Sequence, residues 1–359
     1  MRTITAADLD DLALGAAVLG TGGGGDPYIG KLMAQNALRA HGPVRLLDPD
    51  ELADDALVVP AAMMGAPTVM VEKVPSGDEI VAAFEALQRH LGRPAQATMS
   101  CEAGGLNSTT PFALAAKLGI PVVDADMMGR AFPELQMCVP TLAGIAATPM
   151  ALADEKGNTA ILNTIDNRWT ETFARTLTVD MGCSAMIALY AMSGRQVKDA
   201  TVHGTLSTIE RIGRAIRDAR AAHVDPVRSV LDATGGYEVW RGKVADIARR
   251  TETGFARGDV RIDGDDGALT LAFQNEFLLA RAGDEVLVST PDLITVLDAE
   301  RGVPITTEGL RYGFRVVVVA IPCDPRWRTP AGLTLVGPRY FGYDVDFAPV
   351  ETRFRSPAA

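Results

Sequence analysis

The sequence is short of cysteine, histidine, aromatic residues and basic charge, and it has no long apolar run. Its four cysteines (Cys101, Cys138, Cys183, Cys323) stand far apart with no CxxC pair. That spacing excludes a zinc ribbon and a disulfide framework, and points to a reducing, cytoplasmic location. The four histidines form no HxH or HExxH pattern, so a histidine-built zinc site is not expected. Lys and Arg number 34 against 45 Asp and Glu, a formal net charge of -11. Nucleic acid and anionic membranes require a basic face, so neither is expected as a partner. No apolar run approaches the ~18–20 residues of a membrane span. The opening MRTITAADLDDLALGAAVLG breaks with acidic residues the apolar core that a signal peptide needs, and reads as a first helix.

What is present suits a globular chain of two domains: 359 residues, 47% hydrophobic and 22% charged. Helical periodicity is expected over Thr5–Leu19, Tyr28–Ala40, Asp78–Leu91 and Thr110–Leu118. Between these lie strand-like runs at Val44–Leu47, Ala56–Ala62, Gln96–Ser100 and Pro121–Asp124. Strands alternating with helices predict an α/β domain with a parallel sheet over residues 1–166. A hairpin with its turn at Lys156-Gly157-Asn158 closes that domain. Helices are expected over Asp166–Val179 and Thr208–Ala222. Beyond Gly235 the chain becomes strand-rich, which predicts a β-rich second domain over residues 167–359.

Reactive groups concentrate in SCEAGGLNSTTPFALAAKLGIPVVDADMMGRAFPELQM, Ser100 to Met137. Glu102 follows one predicted strand, and Asp124 and Asp126 follow another. Ligands in such sheets sit beyond the carboxyl ends of strands, so these three carboxylates are candidate catalytic groups. As a set they can divide acid and base work or hold a divalent metal. The bland alternative is that the aspartates cap the next helix or pair with Arg130. Asn107 offers a donor and an acceptor to an amide, or caps a helix with Ser108. Arg130 can bind a substrate carboxylate or simply pair with Asp126; Glu134 stands four residues on.

The run GTGGGGDP, residues 20 to 27, follows a helix rather than a strand and lacks Gly-Lys-Ser/Thr. It therefore matches neither a dinucleotide fingerprint nor a P-loop, and no nucleotide is expected. Two readings remain for Gly22, Gly23, Gly24 and Gly25: a nest of amides for a ligand oxygen, or a crossing too close for side chains. Cys101 and Cys183 read as buried hydrophobes before nucleophiles, and His203 is a second-rank candidate.

These motifs, GTGGGGDPYIG, VEKVPSG, EAGGLNS, PVVDADMMGRAFPELQM and VGPRYFGYD, occur in the order and spacing of a bacterial family. The chain resembles the S-methyl thiohydantoin desulfurase-like family, whose genes often lie beside hydantoinase/oxoprolinase genes. The resemblance implies a Rossmann-like N-terminal domain and a swivelling, β-rich C-terminal domain. Its motif falls here on Glu102, Gly104, Gly105, Asn107, Asp124, Asp126, Gly129, Arg130 and Glu134, besides the glycine run. At the position of Cys101 the family usually carries an apolar residue, which counts against a thiol nucleophile. The implied reaction is hydrolysis of an S-alkyl thiohydantoin to a hydantoin with release of a thiol. Asp124 or Asp126 would deprotonate the water, and Glu102 would protonate the ring nitrogen or hold a metal. Asn107 and the Gly22–Gly25 amides, with Gly104, Gly105 and Glu134 nearby, would bind the ring, and Arg130 a substrate carboxylate. The alternative is a non-catalytic partner or subunit of a hydantoinase/oxoprolinase system holding a hydantoin-like ligand. A homo-oligomer is compatible with either. A nucleotide-dependent oxidoreductase is the third and weakest reading.

Overall fold

The computed structural model describes residues 2–25, 27–65, 69, 76–252 and 255–354. Asp26 of the glycine run and most of VEKVPSG lie outside the described residues. The first sheet has nine strands among these residues. They are β1 (Arg2–Ile4), β2 (Val44–Leu47), β3 (Leu57–Gly65), β4 (Ala97–Ser100) and β5 (Val122–Val123). After β6 (Ala125–Asp126), which pairs elsewhere, come β7 (Met150–Ala153), β8 (Thr159–Leu162), β9 (Ser184–Ala188) and β10 (Met192–Ser193).

The expected parallel sheet is in fact a mixed one. Only β2, β5, β4 and β3 run parallel. β1 lies antiparallel on one edge, and β9, β7 and β8 continue antiparallel from β3 on the other. The cause is the connection: parallel neighbours need a crossover helix, whereas β7 and β8 are joined by the tight Asp154–Asn158 turn. The first sheet also takes β9 and β10 from chain beyond residue 166.

Around this sheet pack α1 (Leu9–Leu19), α2 (Pro27–His41), α3 (Glu79–Leu91) and α4 (Thr110–Leu118). Central β3 shows why both faces are covered. Val58, Ala62 and Met64 enter one core with α1, while Leu57, Val59, Ala61 and Met63 enter another with Ile80 and Phe84 of α3. Period-two alternation with both faces apolar is the mark of a strand buried on both sides.

Farther along come α5 (Asn167–Asp180), α6 (Gly194–Ala200), β11 (Val202–His203), α7 (Thr205–Ala221) and α8 (Pro226–Thr234). β11 pairs with β6 in a small ribbon. The second sheet holds β12 (Tyr237–Glu252), β13 (Phe255–Gly264), β14 (Gly267–Gln274), β15 (Glu276–Ala282), β16 (Glu285–Ser289), β17 (Leu293–Asp298) and β18 (Arg315–Ile321). All pair antiparallel in the order β16-β15-β14-β13-β12-β18-β17, and the sheet curls into a half-barrel. The β-rich second half expected from the sequence is therefore present.

The two sheets are tied by backbone. Phe277 N donates to Thr21 O at 2.8 Å, Thr307 N to Gly22 O at 2.9 Å, and Thr295 Oγ1 to Val18 O at 2.6 Å. Among the described residues no helix is long and apolar enough to cross a membrane.

Candidate active site

A cleft opens where the carboxyl ends of β3 and β4 meet the β14–β15 hairpin. It encloses about 710 Å³ of empty space, its open mouth included. Met63, Met64, Met127, Met128, Phe132, Ile187 and Leu189 make most of its wall apolar. The charged groups on the wall are Glu102, Glu134, Glu171, Arg175 and Glu276.

Glu102 sits two residues past β4, where a strand end delivers it to the sheet edge as the sequence predicts. Its carboxylate is buried and accepts from Asn107 Nδ2 at 2.7 Å. Asn107 is itself clamped, accepting from Met63 N at 2.8 Å and donating to Met63 O at 3.2 Å. Its amide acts as a short substitute strand beside β3, and both its N–H donors are already used. Asn107 therefore orients Glu102. Ser100 Oγ holds the same loop, donating to Glu102 O at 2.6 Å and Asn107 O at 3.0 Å. Burial pushes the Glu102 carboxyl up to about 7; the Asn107 bond opposes this and Asp126 adds to it. A carboxyl with that value in a cleft is suited to proton transfer at neutral pH.

The second carboxylate on the inner wall, Glu276, is absent from the sequence-based candidates. It opens β15 directly after Asn275, which takes a positive φ of 58°. It is 2% exposed, and burial pushes its carboxyl well above the usual range, with Glu102 adding to the rise and Arg130 opposing it. One signal was available in FQNEFLL: a lone acid flanked by phenylalanines at a strand start, where an apolar residue is the norm. Glu171 and Arg175 of α5 also went unnoticed. They pair with each other at the mouth, where Glu171 accepts from Leu135 N and Arg175 lies over the Phe255 ring at 4.2 Å.

The two glycine runs explain each other, for they cross backbone to backbone. A Cβ on Gly24 would stand 2.4 Å from Gly104 Cα, and one on Gly105 2.4 Å from Gly25 O. One on Gly22 would meet the Phe277 ring at 2.6 Å, and one on Gly23 the Glu276 Oε1 at 2.0 Å. Gly24 and Gly25 reach the cleft wall, whereas Gly22, Gly23, Gly104 and Gly105 lie behind it. Gly24 also adopts φ +77°. Gly24→Ala is thus expected to lose roughly 2–5 kcal/mol from overpacking and left-handed strain together. Urea unfolding measures this, and an unchanged midpoint would show that the crossing can open.

Asp124 and Asp126 share a face, as their i, i+2 spacing predicts, but that face meets α7 rather than the cleft. Asp124 accepts from Ser207 N at 3.0 Å and from Ser207 Oγ. Asp126, fully buried, accepts from Thr205 Oγ1 at 2.7 Å, Met128 N at 2.9 Å and Gly129 N at 2.7 Å. Burial raises its carboxyl to about 6 against those bonds. Asp124 caps the positive end of α7 through Ser207 N, while Asp126 holds the Thr205 hydroxyl at that end and closes its own turn at Met128 and Gly129. That capping is why α7 starts at Thr205, earlier than the expected Thr208.

Arg130 is likewise sealed away. It donates to Ala131 O, Pro291 O, Asp292 O and Thr21 Oγ1, and its guanidinium stacks 4.3 Å from the Phe132 ring centroid. Glu134 does line the cleft, at the mouth, accepting from Tyr340 Oη at 2.7 Å and Gln136 Nε2 at 2.5 Å. Cys101 lines it too, but burial drives its thiol far up, away from the thiolate. His203 is exposed on β11. Among the described residues no three His, Cys, Asp or Glu side chains are placed to hold a metal ion. The carboxylates of the described residues thus do not supply the several oxygen donors that a divalent cation needs.

The chain is similar to known proteins over nearly its whole length. A crystal structure of a protein from Chromobacterium violaceum superposes with a TM-score of 0.83 at 27% identity, covering 98% of this chain and 100% of that one. No curated protein matches. The model of the S-Me-THD-like N-terminal domain matches residues 7–164, and that of the S-Me-THD-like C-terminal domain matches residues 142–350. Cleft, crossing glycines and docked half-barrel are thus features of a chain that belongs to the S-Me-THD-like family.

Proposed function

We propose that the protein is a hydrolase of a small cyclic urea or thiourea derivative, most concretely an S-methyl thiohydantoin desulfurase. One observation carries the reading: Glu102, oriented by Asn107 and buried on the wall of an apolar cleft, with its carboxyl near 7. The cleft is concave and mostly apolar with a few polar groups, as small-molecule sites are. Its methionines and Phe132 offer a soft, dry surface to a thioether.

Water attacks the ring carbon of the C=N bond and gives a proton to Glu102 as the C–O bond forms. The ring nitrogen takes a proton, the C–S bond breaks with its electron pair going to sulfur, and the thiolate is protonated. One water is consumed, and one hydantoin and one methanethiol leave. Glu102 thus takes the base role first expected of Asp124 or Asp126, because its carboxylate borders the cleft and theirs are engaged at the start of α7. On this reading the parallel strands are the Rossmann-like core, and the half-barrel is the swivelling unit that brings Glu276 to it. The four free thiols suit a cytoplasmic enzyme.

The test is thiol release from S-methyl thiohydantoin propionate, with and without chelator, by wild type and Asp124→Ala. Wild type is expected to release thiol. Asp124→Ala is expected to keep most of the rate per folded molecule while losing ~1 kcal/mol of stability with the cap. Chelator sensitivity would demand a metal site that the donor set does not offer. Absence of release would sink the desulfurase reading; binding of a hydantoin without turnover would favour the non-catalytic hydantoinase/oxoprolinase partner.

A further inference from the structure

We infer that Glu276 is the second catalytic group of this site, the acid that protonates the ring nitrogen while Glu102 takes the proton of water. The inference rests on the hydrolase reading and deepens it, because that reading leaves the proton donor unassigned.

Four observations carry it. Glu276 shares the cleft wall with Glu102, and its buried Oε2 has no hydrogen-bond partner. A buried polar atom left unpaired costs ~1–3 kcal/mol, so a purely structural glutamate would be expected to pair or to be replaced. The cation acting on it is Arg130, whose N–H groups go to three carbonyls and Thr21, with no ion pair to Glu276 among the described residues. The glutamate is also held in place deliberately. Asn275 takes its left-handed turn under reciprocal bonds with Ala256, 2.7 and 2.9 Å, and a third from Thr307 Oγ1 at 2.8 Å. Three bonds on that one residue fix the start of β15 and with it the Glu276 backbone. Finally, Gly23 leaves space for the carboxylate, since any Cβ there would collide with Oε1.

The proton balance closes with these two groups alone. Glu276 gives its proton to the C=N nitrogen as water adds and Glu102 is protonated. When the C–S bond breaks, Glu102 returns its proton to the thiolate. The new hydroxyl gives its proton back to Glu276 as the C=O bond forms. Both carboxyls end as they began, and because they stand on different sheets the site is complete only when the half-barrel is docked.

The groups facing this pair are Arg130 and Glu308 for Glu276, and Asp126 for Glu102. With a base of lower and an acid of higher affinity for protons, kcat/KM rises and then falls with pH. Glu276→Gln is expected to lower kcat about 10²–10⁴-fold, to leave KM within a few-fold, and to erase the falling limb. Glu276→Asp should restore part of the rate and that limb. A merely structural role would move stability and leave both limbs in place. Infrared spectroscopy of the wild type needs no variant to fold: a protonated carboxyl band that persists at about two pH units above the value of about 7 of Glu102 is expected, and its absence there would overturn the inference. Full rate with both limbs in Glu276→Gln would overturn Glu276 alone. No thiol release from wild type would overturn the hydrolase reading, and this inference with it.

Discussion

Glu102→Gln is expected to lower the rate of thiol release about 10²–10⁴-fold in a protein that still folds. The amide oxygen can still accept from Asn107 Nδ2, so the clamp from Met63 through Asn107 survives. What disappears is the ability to take a proton. In the wild type the base must be ionised, so the rate is expected to rise with pH through about 7. The variant should lack that limb. The same group acts on stability with the opposite sign. Its folded value of about 7 lies above the ordinary 4.5, so folding favours the protonated form. That contribution is complete below about 4.5 and is lost as pH rises through about 7. At about 1.4 kcal/mol per unit the loss is roughly 3 kcal/mol. Glu102→Gln should therefore be more stable than wild type at alkaline pH and lack this decline. Urea midpoints at pH values from about 4.5 to just above about 7 measure it. A variant that keeps its rate, or a wild type whose stability does not fall across that window, would remove Glu102 from the chemistry.

Arg130→Ala should produce the largest loss of stability, about 3–5 kcal/mol, from buried carbonyls left without donors at ~1–3 kcal/mol each. The guanidinium is fully buried and joins the loop after β6 to the half-barrel through Pro291 O at 2.7 Å and Asp292 O at 3.0 Å. Removing it leaves those carbonyls and Ala131 O without a donor in a site that water does not reach. It also removes the positive charge that opposes the rise of the Glu276 carboxyl. Arg130→Lys keeps the charge but cannot span four acceptors from one planar fork, so it should recover only part of the loss. Chemical unfolding separates this from the role first expected of Arg130. A clamp on a substrate carboxylate would raise KM in a protein of ordinary stability, and that result would return Arg130 to the substrate.

The fold and the site were legible in the sequence to different depths. Helices α1 to α4 and strands β2 to β5 follow from periodicity, because each buries a face whose pattern is local. The antiparallel half of the first sheet was not legible. The stretch Gly182–Met192, which holds β9, reads only as a buried apolar run, and nothing local says that it pairs with β3. Glu102 was found because a carboxylate just past a strand end in a parallel sheet is delivered to the ligand edge. The same rule selected Asp124 and Asp126, whose shared face turns to α7 rather than to the cleft. It could not see that the N-terminus of α7, from a distant part of the chain, meets that face and engages both carboxylates, Asp124 at Ser207 N and Asp126 at the Thr205 hydroxyl. Both open readings of the glycine run touch on something real. Gly24 and Gly25 do line the cleft, but the run is glycine throughout because a second backbone, a ring and a carboxylate press against it.

By itself the sequence determined the strand and helix periods, the acidic and cysteine-poor character, the edge of the sheet that carries the cleft, and the family. Those are properties of neighbouring residues or of their linear order. Only the tertiary structure decided which carboxylates keep company in the cleft. Whether an acid is a cap, a clamp or a proton carrier depends on which hydrogen-bond donors reach it and how much water is excluded. Both are set by segments far away in sequence: α7 arriving at Asp124 and Asp126, and the β14–β15 hairpin bringing Glu276 to Glu102.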